Sequence, residues 1–428
     1  MPSISAKVGL AAVVLILAVL FQTVRQWMIV FGYGRITQPI TDFPYKCRRI
    51  YEPLTTNERP HAAEDMWLSE NTRQLFIAAS DQHARKQWFT NLGFLNLTGR
   101  SENDAVIALD IDTLDPSRST VDRSASRALS TPGFEGTAGD GRLHLVGITG
   151  VETGNDIKLY LTNNRPSVDP RTGELMDQYV VGANATIEVF RVGPNAASME
   201  HVRTYAHKHI ATPNNIAPVP GDDGGIYITN DHGQNKVGFQ FHVSPFIGTG
   251  DVTYCTPHSC KPVATRHKFP NGLLLSRQGD DNLLYVPSSF GGGIYVYRVH
   301  LPSGDLEQVA HVASDWSIDN LSEDADGDIY AAAFPKPLEA LGHFDDPELK
   351  TYATATVLRV RRRGKRDRTT TGSGEGGEYV WDKVLEDRDR AVLGGVTAVI
   401  RDARTGRLFL SGPITPFIAV CEPQEVAV

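Results

Sequence analysis

The sequence predicts an all-β fold, a six-bladed β-propeller preceded by an N-terminal hydrophobic helix. Three observations carry that expectation. One turn-and-strand unit recurs six times along the chain. The 428 residues hold 39 glycines and 25 prolines but few long amphipathic stretches. Only one segment is apolar enough to span a bilayer. The recurring units are NTRQLFIAAS (71–80), GNDIKLYLTN (154–163), GDDGGIYITN (221–230), GDDNLLYVPS (279–288), DADGDIYAAA (324–333) and DARTGRLFLSG (402–412). In each, an Asp/Asn/Gly/Thr turn leads into four or five residues of strand character. The copies lie roughly 45 to 85 residues apart, and a second apolar strand follows in GGIYVYRV (292–299) and ATVLRVRR (355–362). Short sheets repeated at such spacing are the signature of a propeller. A large β-sandwich with accidental turn similarity is the competing architecture.

In chain order, the first element is residues 1–30. Val8 to Phe21 carries no polar side chain and lies between Lys7 and Arg25. Extended to Val24, it reaches the lower limit of about 17 residues for a transmembrane helix, and Trp27 suits the membrane interface. No small-residue cleavage site follows, so the segment reads as an uncleaved signal anchor. It would tether the body to the membrane, in the secretory pathway, on the luminal or extracellular side. A cleaved signal peptide is the alternative. Residues 40–428 are expected to form the propeller. Within them, 361–379 (RRRGKRDRTTTGSGEGGEY) has no apolar periodicity and reads as a flexible insertion between two strands. The net charge of −8, from 42 basic and 50 acidic residues, argues against a nucleic-acid partner.

Cysteine usage agrees with an oxidising compartment. Cys255 and Cys260 lie in YCTPHSCKP, close enough for a local bridge. Cys47 and Cys421 stand at opposite ends of the propeller region; if they pair, the bridge closes the ring where its first and last strands meet. Zinc is the competing use, but no CxxC pair is present. Asn96-Leu97-Thr98 and Asn184-Ala185-Thr186 are N-glycosylation sequons.

The residues with chemistry in them sit where apolar stretches meet turns. They are Glu64-Asp65, Asn214-Asn215, Asn230-Asp231-His232, Asn271-Gly272 and Asp319-Asn320. Singly, such residues are usually turn formers that bond their own backbone. Their recurrence, about once per repeat, raises them above that reading. Carboxylates and amide carbonyls are hard oxygen donors, which suit Ca²⁺. In a propeller, the inner strands converge on one axis, so ligands distant in sequence can share an ion there.

With these motifs the sequence resembles the serum paraoxonase/arylesterase family, calcium-dependent six-bladed propellers that hydrolyse lactones and esters. The resemblance runs from about Cys47 to Cys421. Its most specific pieces are EDMWL (64–68), TNDH (229–232), FPNG (269–272) and IDNLS (318–322). It implies that Glu64, Asn214, Asn271, Asp319 and Asn320 hold a catalytic Ca²⁺. It also implies a second, structural calcium at Asp65, Asn215 and the Ile148 carbonyl, and a Cys47–Cys421 disulfide.

Two departures stand out. The family's essential histidine precedes a Gly-Ile pair, where this chain has Val146, and its partner histidine maps near Arg165. The water-activating dyad is therefore expected to be missing, leaving Asp319, Glu64 or His144 as the base. His144 lies two residues before Val146 and would share its face in an extended strand. His232 reads as an orienting residue. The other departure is Asn215, where the family has Asp, which weakens the second calcium site.

The resulting expectation is a hydrolase of small-molecule esters or lactones that uses Ca²⁺ as a Lewis acid on the substrate carbonyl. Two rivals stand beside it. One is a non-hydrolytic biosynthetic propeller resembling strictosidine synthase, and the other a luminal binding propeller. No GxSxG elbow and no HExxH motif occurs in the sequence.

Overall fold

The computed structural model describes the chain except residues 1–3, 51–61, 120–124, 137, 222–223, 277–281, 347, 349, 363–377 and 425–428. Among the described residues, six four-stranded antiparallel sheets form the blades of a propeller. The innermost strands are Ala62–Ser69, Leu145–Thr153, Pro213–Pro218, Leu274–Leu275, Ser317–Glu323 and Ala398–Arg401, in blades one to six. Blades two to five run outward in chain order, and blade one does so around a small two-stranded insertion. Blade six takes its outermost strand from the beginning of the propeller: Tyr45–Ile50 pairs with Ile418–Pro423. Cys47 and Cys421 face each other in that register and are bridged, so the first and last strands are joined covalently. Cys255 and Cys260 are bridged across the outer hairpin of blade three.

Period-2 alternation explains why the blades stack. In blade one, Leu75, Ile77 and Ala79 face blade six, while the intervening Phe76 and Ala78 face blade two. Each of the six interfaces between blades is filled in this way by its own apolar cluster. The middle strands, buried on both faces, are accordingly near-continuous apolar runs.

Helix Ile4–Val30 precedes the propeller, and its Ala12–Val30 portion is long and apolar enough to cross a membrane. Its carboxyl end docks on the propeller. Trp27 meets Phe246 edge-on, and just past the helix Phe31 meets Phe290 in the same way. Arg35 then donates to the carbonyls of Pro335 and Asp315 and lies over the Trp316 ring. The same end of the ring carries helices Gly238–Ile247 and Pro337–Asp345. The insertion expected at 361–379 joins strands Ala355–Arg362 and Tyr379–Asp387; its residues 363–377 lie outside the described residues.

Candidate metal centre

In a regular strand, consecutive side chains point to opposite faces, so an adjacent pair cannot both reach the axis. Five inner strands break that rule at the same height. In blade one the register passes from Ala63↔Ala79 to Met66↔Ile77, three residues against two. The same extra residue occurs between Leu145 and Ile148, between Pro213 and Ile216, and between Ile318 and Leu321. In blade four it falls between Pro270↔Ser288 and Leu274↔Tyr285. These are β-bulges, which turn the strand and re-aim its side chains. The bulged pairs are Glu64-Asp65, Val146-Gly147, Asn214-Asn215, Asn271-Gly272 and Asp319-Asn320. Second-strand threonines pin two of the bulges. Thr162 Oγ1 accepts from Gly147 N, and Thr229 Oγ1 accepts from Asn215 N while donating to the Asn271 carbonyl.

The second member of each pair alternates around the ring. Blades one, three and five place Asp65, Asn215 and Asn320 there, and blades two and four place glycine. Space demands it. A Cβ on Gly147 would lie 2.5 Å from the Asn214 carbonyl oxygen, and one on Gly272 would lie 2.0 Å from Asn320 Oδ1. The three side chains interlock. Asn215 Nδ2 donates to Asp65 Oδ2 at 2.9 Å and to Asn320 Oδ1 at 3.1 Å. Asn320 Nδ2 in turn donates to Glu64 Oε1 at 3.0 Å. The Ile216 N–H, donating to Asn215 Oδ1 at 2.7 Å, sets the direction of this chain, because a backbone N–H cannot be reversed. Blade six adds Thr397, whose hydroxyl donates to the Glu64 carbonyl and whose own carbonyl accepts from Asn320 N.

Glu64, Asn214, Asn271 and Asp319, the first members of their pairs, line a cavity of about 350 Å³. Its walls are largely aromatic, including Phe89, Phe241, Phe269, Phe290 and Phe344. Asp65, Ile148 and Asn215 line a second cavity of about 310 Å³. Of the five predicted ligands of the first ion, four therefore share one cavity. Asn320 turns its amide nitrogen, not its oxygen, toward Glu64, and joining as an oxygen ligand would cost its bond to Asn215.

Three oxygens of this set, Glu64 Oε2, Asn214 Oδ1 and Asp319 Oδ1, are buried without a hydrogen-bond partner among the described residues. Burial, then repulsion from Asp319 and Asp65, holds the Glu64 carboxyl well above the usual carboxylate range. Burial and the Asp65 charge do the same to Asp319, and burial pushes Asp65 up to about 7. Buried, mutually repelling carboxylates with orphaned oxygens are what a hard cation would relieve. The donor set of Glu64, Asn214 and Asp319 fits one, and Asn271, which lines the same cavity, would join by sharing the Oδ1 that accepts from Gly272 N at 3.0 Å. It relies on amides: among the described residues no three His, Cys, Asp or Glu side chains gather into a metal cage of their own.

The second predicted site does not fit a cation. Asp65 Oδ1 accepts from Met66 N, and Oδ2 accepts from Ile148 N and Asn215 Nδ2. N–H donors already surround this carboxylate, and Asn215 offers hydrogens where a ligand oxygen is needed.

The structure places His144, one of the candidate bases, outside the cavity that Glu64 and Asp319 line. It lines a separate cavity of about 10 Å³ with Arg85, Trp88 and Asp104, and burial lowers its pKa to about 4. Val146 lines that same small cavity, so the two residues do lie on one side of the strand, but neither reaches the cavity of Glu64 and Asp319. Val146 packs with Phe89, Phe344 and Ile414, and Arg165 Nε donates to the Asn184 carbonyl. Of the sequons, Asn184 is exposed and Asn96 is half-buried, its amide donating to Gln87 Oε1.

His232 lies at the cavity as well. Its Nδ1 is 2.7 Å from Asp231 Oδ1, and its ring stacks on Phe241 with centroids 3.8 Å apart. Sequence reasoning gave it an orienting role. The available signal was TNDH itself, an acid beside a histidine just where a strand ends.

Fold and centre together define a six-bladed propeller with an oxygen-donor site on its axis. Within that class the chain is similar to the serum paraoxonase/arylesterase family. The Arylesterase family model matches residues 168–376, a span that holds Asn214, His232, Asn271 and Asp319 but not Glu64 or Asp65. Serum paraoxonase/arylesterase 2 of Gallus gallus is 28% identical over 180 residues, 41% of this chain and 48% of that protein. Serum paraoxonase/lactonase 3 of Oryctolagus cuniculus is 27% identical over 193 residues, 44% and 53%. The matches span about half the length of these curated relatives. Among solved structures, a gluconolactonase of Xanthomonas campestris is 13% identical over 88% of this chain and 89% of that one, with a TM-score of 0.46; likeness at that level carries no argument about function.

Proposed function

We propose that the chain is a calcium-dependent hydrolase of esters or lactones. The observation that carries this reading is the set of three unpartnered buried oxygens, from Glu64, Asn214 and Asp319, in one apolar cavity. Glu64, Asn214, Asn271 and Asp319 would hold one Ca²⁺. Glu64 and Asp319 supply two negative charges against its two positive ones, and the amides complete the shell without overbinding. When bound, the ion supplies Lewis acidity toward a substrate carbonyl oxygen and the oxyanion that forms there. The aromatic walls bind the apolar body of the ester or lactone and exclude bulk water. Asn320 holds Glu64 through Oε1 and leaves Oε2 free.

The apolar helix is proposed as a membrane anchor, with the propeller on the luminal or extracellular side. Two disulfides support that compartment.

The test is turnover of phenyl acetate and δ-valerolactone by the full chain in detergent, with calcium and with chelator, alongside metal analysis of the same sample. Chelator-sensitive turnover is expected. Asn271→Ala should lose turnover and calcium together, and an Asn271→Ala protein of full activity refutes the assignment. A second reading, a propeller that binds the ion but does not hydrolyse, is favoured by Val146 in the place of the family's histidine. Bound calcium without turnover would select it.

A further inference from the structure

A water-attack mechanism needs a proton acceptor that is oriented, in the right tautomer and open to the substrate cavity. His144 lacks the last property, and the free oxygens of Glu64 and Asp319 would be taken up by the cation of the proposed centre. His232 has all three. Its ring lies between Phe241, parallel to within 6°, and Phe269, edge-on at 5.1 Å. Its backbone N–H donates to Thr212 Oγ1 at 3.1 Å. Asp231 is fully buried. Its Oδ2 accepts from Asn91 Nδ2 at 2.5 Å and Asn214 Nδ2 at 3.3 Å, which leaves Oδ1 facing His232 Nδ1. A carboxylate opposite Nδ1 keeps the proton on that nitrogen and the lone pair on Nε2. Nε2 has no hydrogen-bond partner among the described residues, and His232 lines the cavity that Glu64, Asn214, Asn271 and Asp319 also line.

Resting on the hydrolytic reading above, we propose that His232, oriented by Asp231, is the general base of this centre. Nε2 takes a proton from water as the water oxygen bonds to the carbonyl carbon and the C=O pair moves onto oxygen. When the bond to the alkoxy oxygen breaks, the proton on Nε2 passes to that oxygen. An ester gives an acid and an alcohol, a lactone gives one hydroxy acid, and His232 returns to its starting form.

The experiment uses the full calcium-supplied chain in detergent, with phenyl acetate and δ-valerolactone as probes. His232→Ala should lower kcat by about 10²–10⁴-fold, the usual worth of a positioned base. KM should change only a few-fold, bound calcium should remain, and added imidazole should restore at least tenfold of the loss. His232→Gln, whose amide can still donate to Asp231, should stay as slow as His232→Ala. Recovery of parental kcat in His232→Gln, or loss of bound calcium in His232→Ala without imidazole rescue, would make the residue a positioning one and overturn the proposal alone. Absence of turnover in the calcium-loaded parent overturns the hydrolytic reading and this proposal with it.

Discussion

Asn215→Asp would set a second carboxylate against Asp65, and the cost can be worked from the structure. Asn215 Nδ2 lies 2.9 Å from Asp65 Oδ2 and 3.1 Å from Asn320 Oδ1. Replacing that donor by a carboxylate oxygen turns an attraction into repulsion between two charges at contact distance. With an effective dielectric constant near 20, two unit charges about 2.9 Å apart repel by about 6 kcal/mol, comparable with the whole stability of many domains. The pair can escape part of this by sharing a proton, since Asp65 is already pushed up to about 7. An acid whose folded pKa is raised adds stability below its unfolded pKa and loses it as pH rises through the folded value. The metal-free variant should therefore weaken further between about pH 4 and pH 8. A divalent cation between the two carboxylates would reverse the penalty. The expected outcome is one calcium per parent chain and two per Asn215→Asp chain, with a larger calcium-dependent rise in Tm for the variant. Metal analysis after gel filtration and thermal unfolding in chelator or calcium measure both. A parent chain that binds two ions, or an Asn215→Asp chain as stable as the parent in chelator at pH 8, would refute the reasoning.

The two disulfides offer an internal comparison. Both join opposed residues of antiparallel strands, but one closes a separation of 374 residues and the other of 5. The chain-entropy relation gives roughly 6 and 2 kcal/mol respectively. Denaturant titration of the Cys47→Ala/Cys421→Ala protein should thus show about 4 kcal/mol more loss than Cys255→Ala/Cys260→Ala, and equal losses would remove ring closure as the cause. His144, lowered to about 4 by burial, contributes stability above its unfolded pKa that is lost as pH falls through the folded one. Relative to His144→Gln, the parent should lose about 3 kcal/mol between pH 6.5 and pH 4; a pH-independent difference would mean that the histidine is protonated in place.

The repeat, the paired oxygen residues and the closing cysteines were legible in the sequence because each is a local pattern or a count. What could not be read was the backbone between Ala63 and Met66 and at its four counterparts. A bulge is defined by the register against a partner strand, and no residue of AAEDMWL announces that the partner will advance by two while this strand advances by three. The two-residue alternation does bring His144 and Val146 to one small cavity, but the sequence alone does not say that this cavity is separate from the one Glu64 and Asp319 line. Asp231 and His232 illustrate the opposite case. Adjacent residues in a strand diverge, but these two lie just past the end of strand Ile226–Asn230, where the turn lets their side chains meet. The direction of the Asn320 amide was also out of reach, because it is set two hydrogen bonds away by Ile216 N–H.

The alternation of side chain and glycine around the axis bears on how this centre tolerates Val146. Six inner strands cannot all deliver two side chains to one point; Gly147 and Gly272 are the positions where delivery stops, and the Asp65–Asn215–Asn320 triangle fills the space they leave. Blade two thus adds no side chain to the interlocking triangle, only the Ile148 N–H that donates to Asp65 Oδ2, and its other bulge residue, Val146, packs with Phe89, Phe344 and Ile414. The oxygen donors come from blades one, three, four and five, and His232 comes from the turn after the second strand of blade three. Val146 in blade two therefore leaves the residues that orient the others undisturbed. Asp231 ties what remains together: one oxygen holds His232 and the other accepts from Asn214. Loss of the Asp231 carboxylate would disturb the proposed base and the proposed ion ligand at once, whereas loss of His232 would leave the ion ligand's partner in place, and this asymmetry is why His232 and not Asp231 is the residue on which the base assignment must be tested.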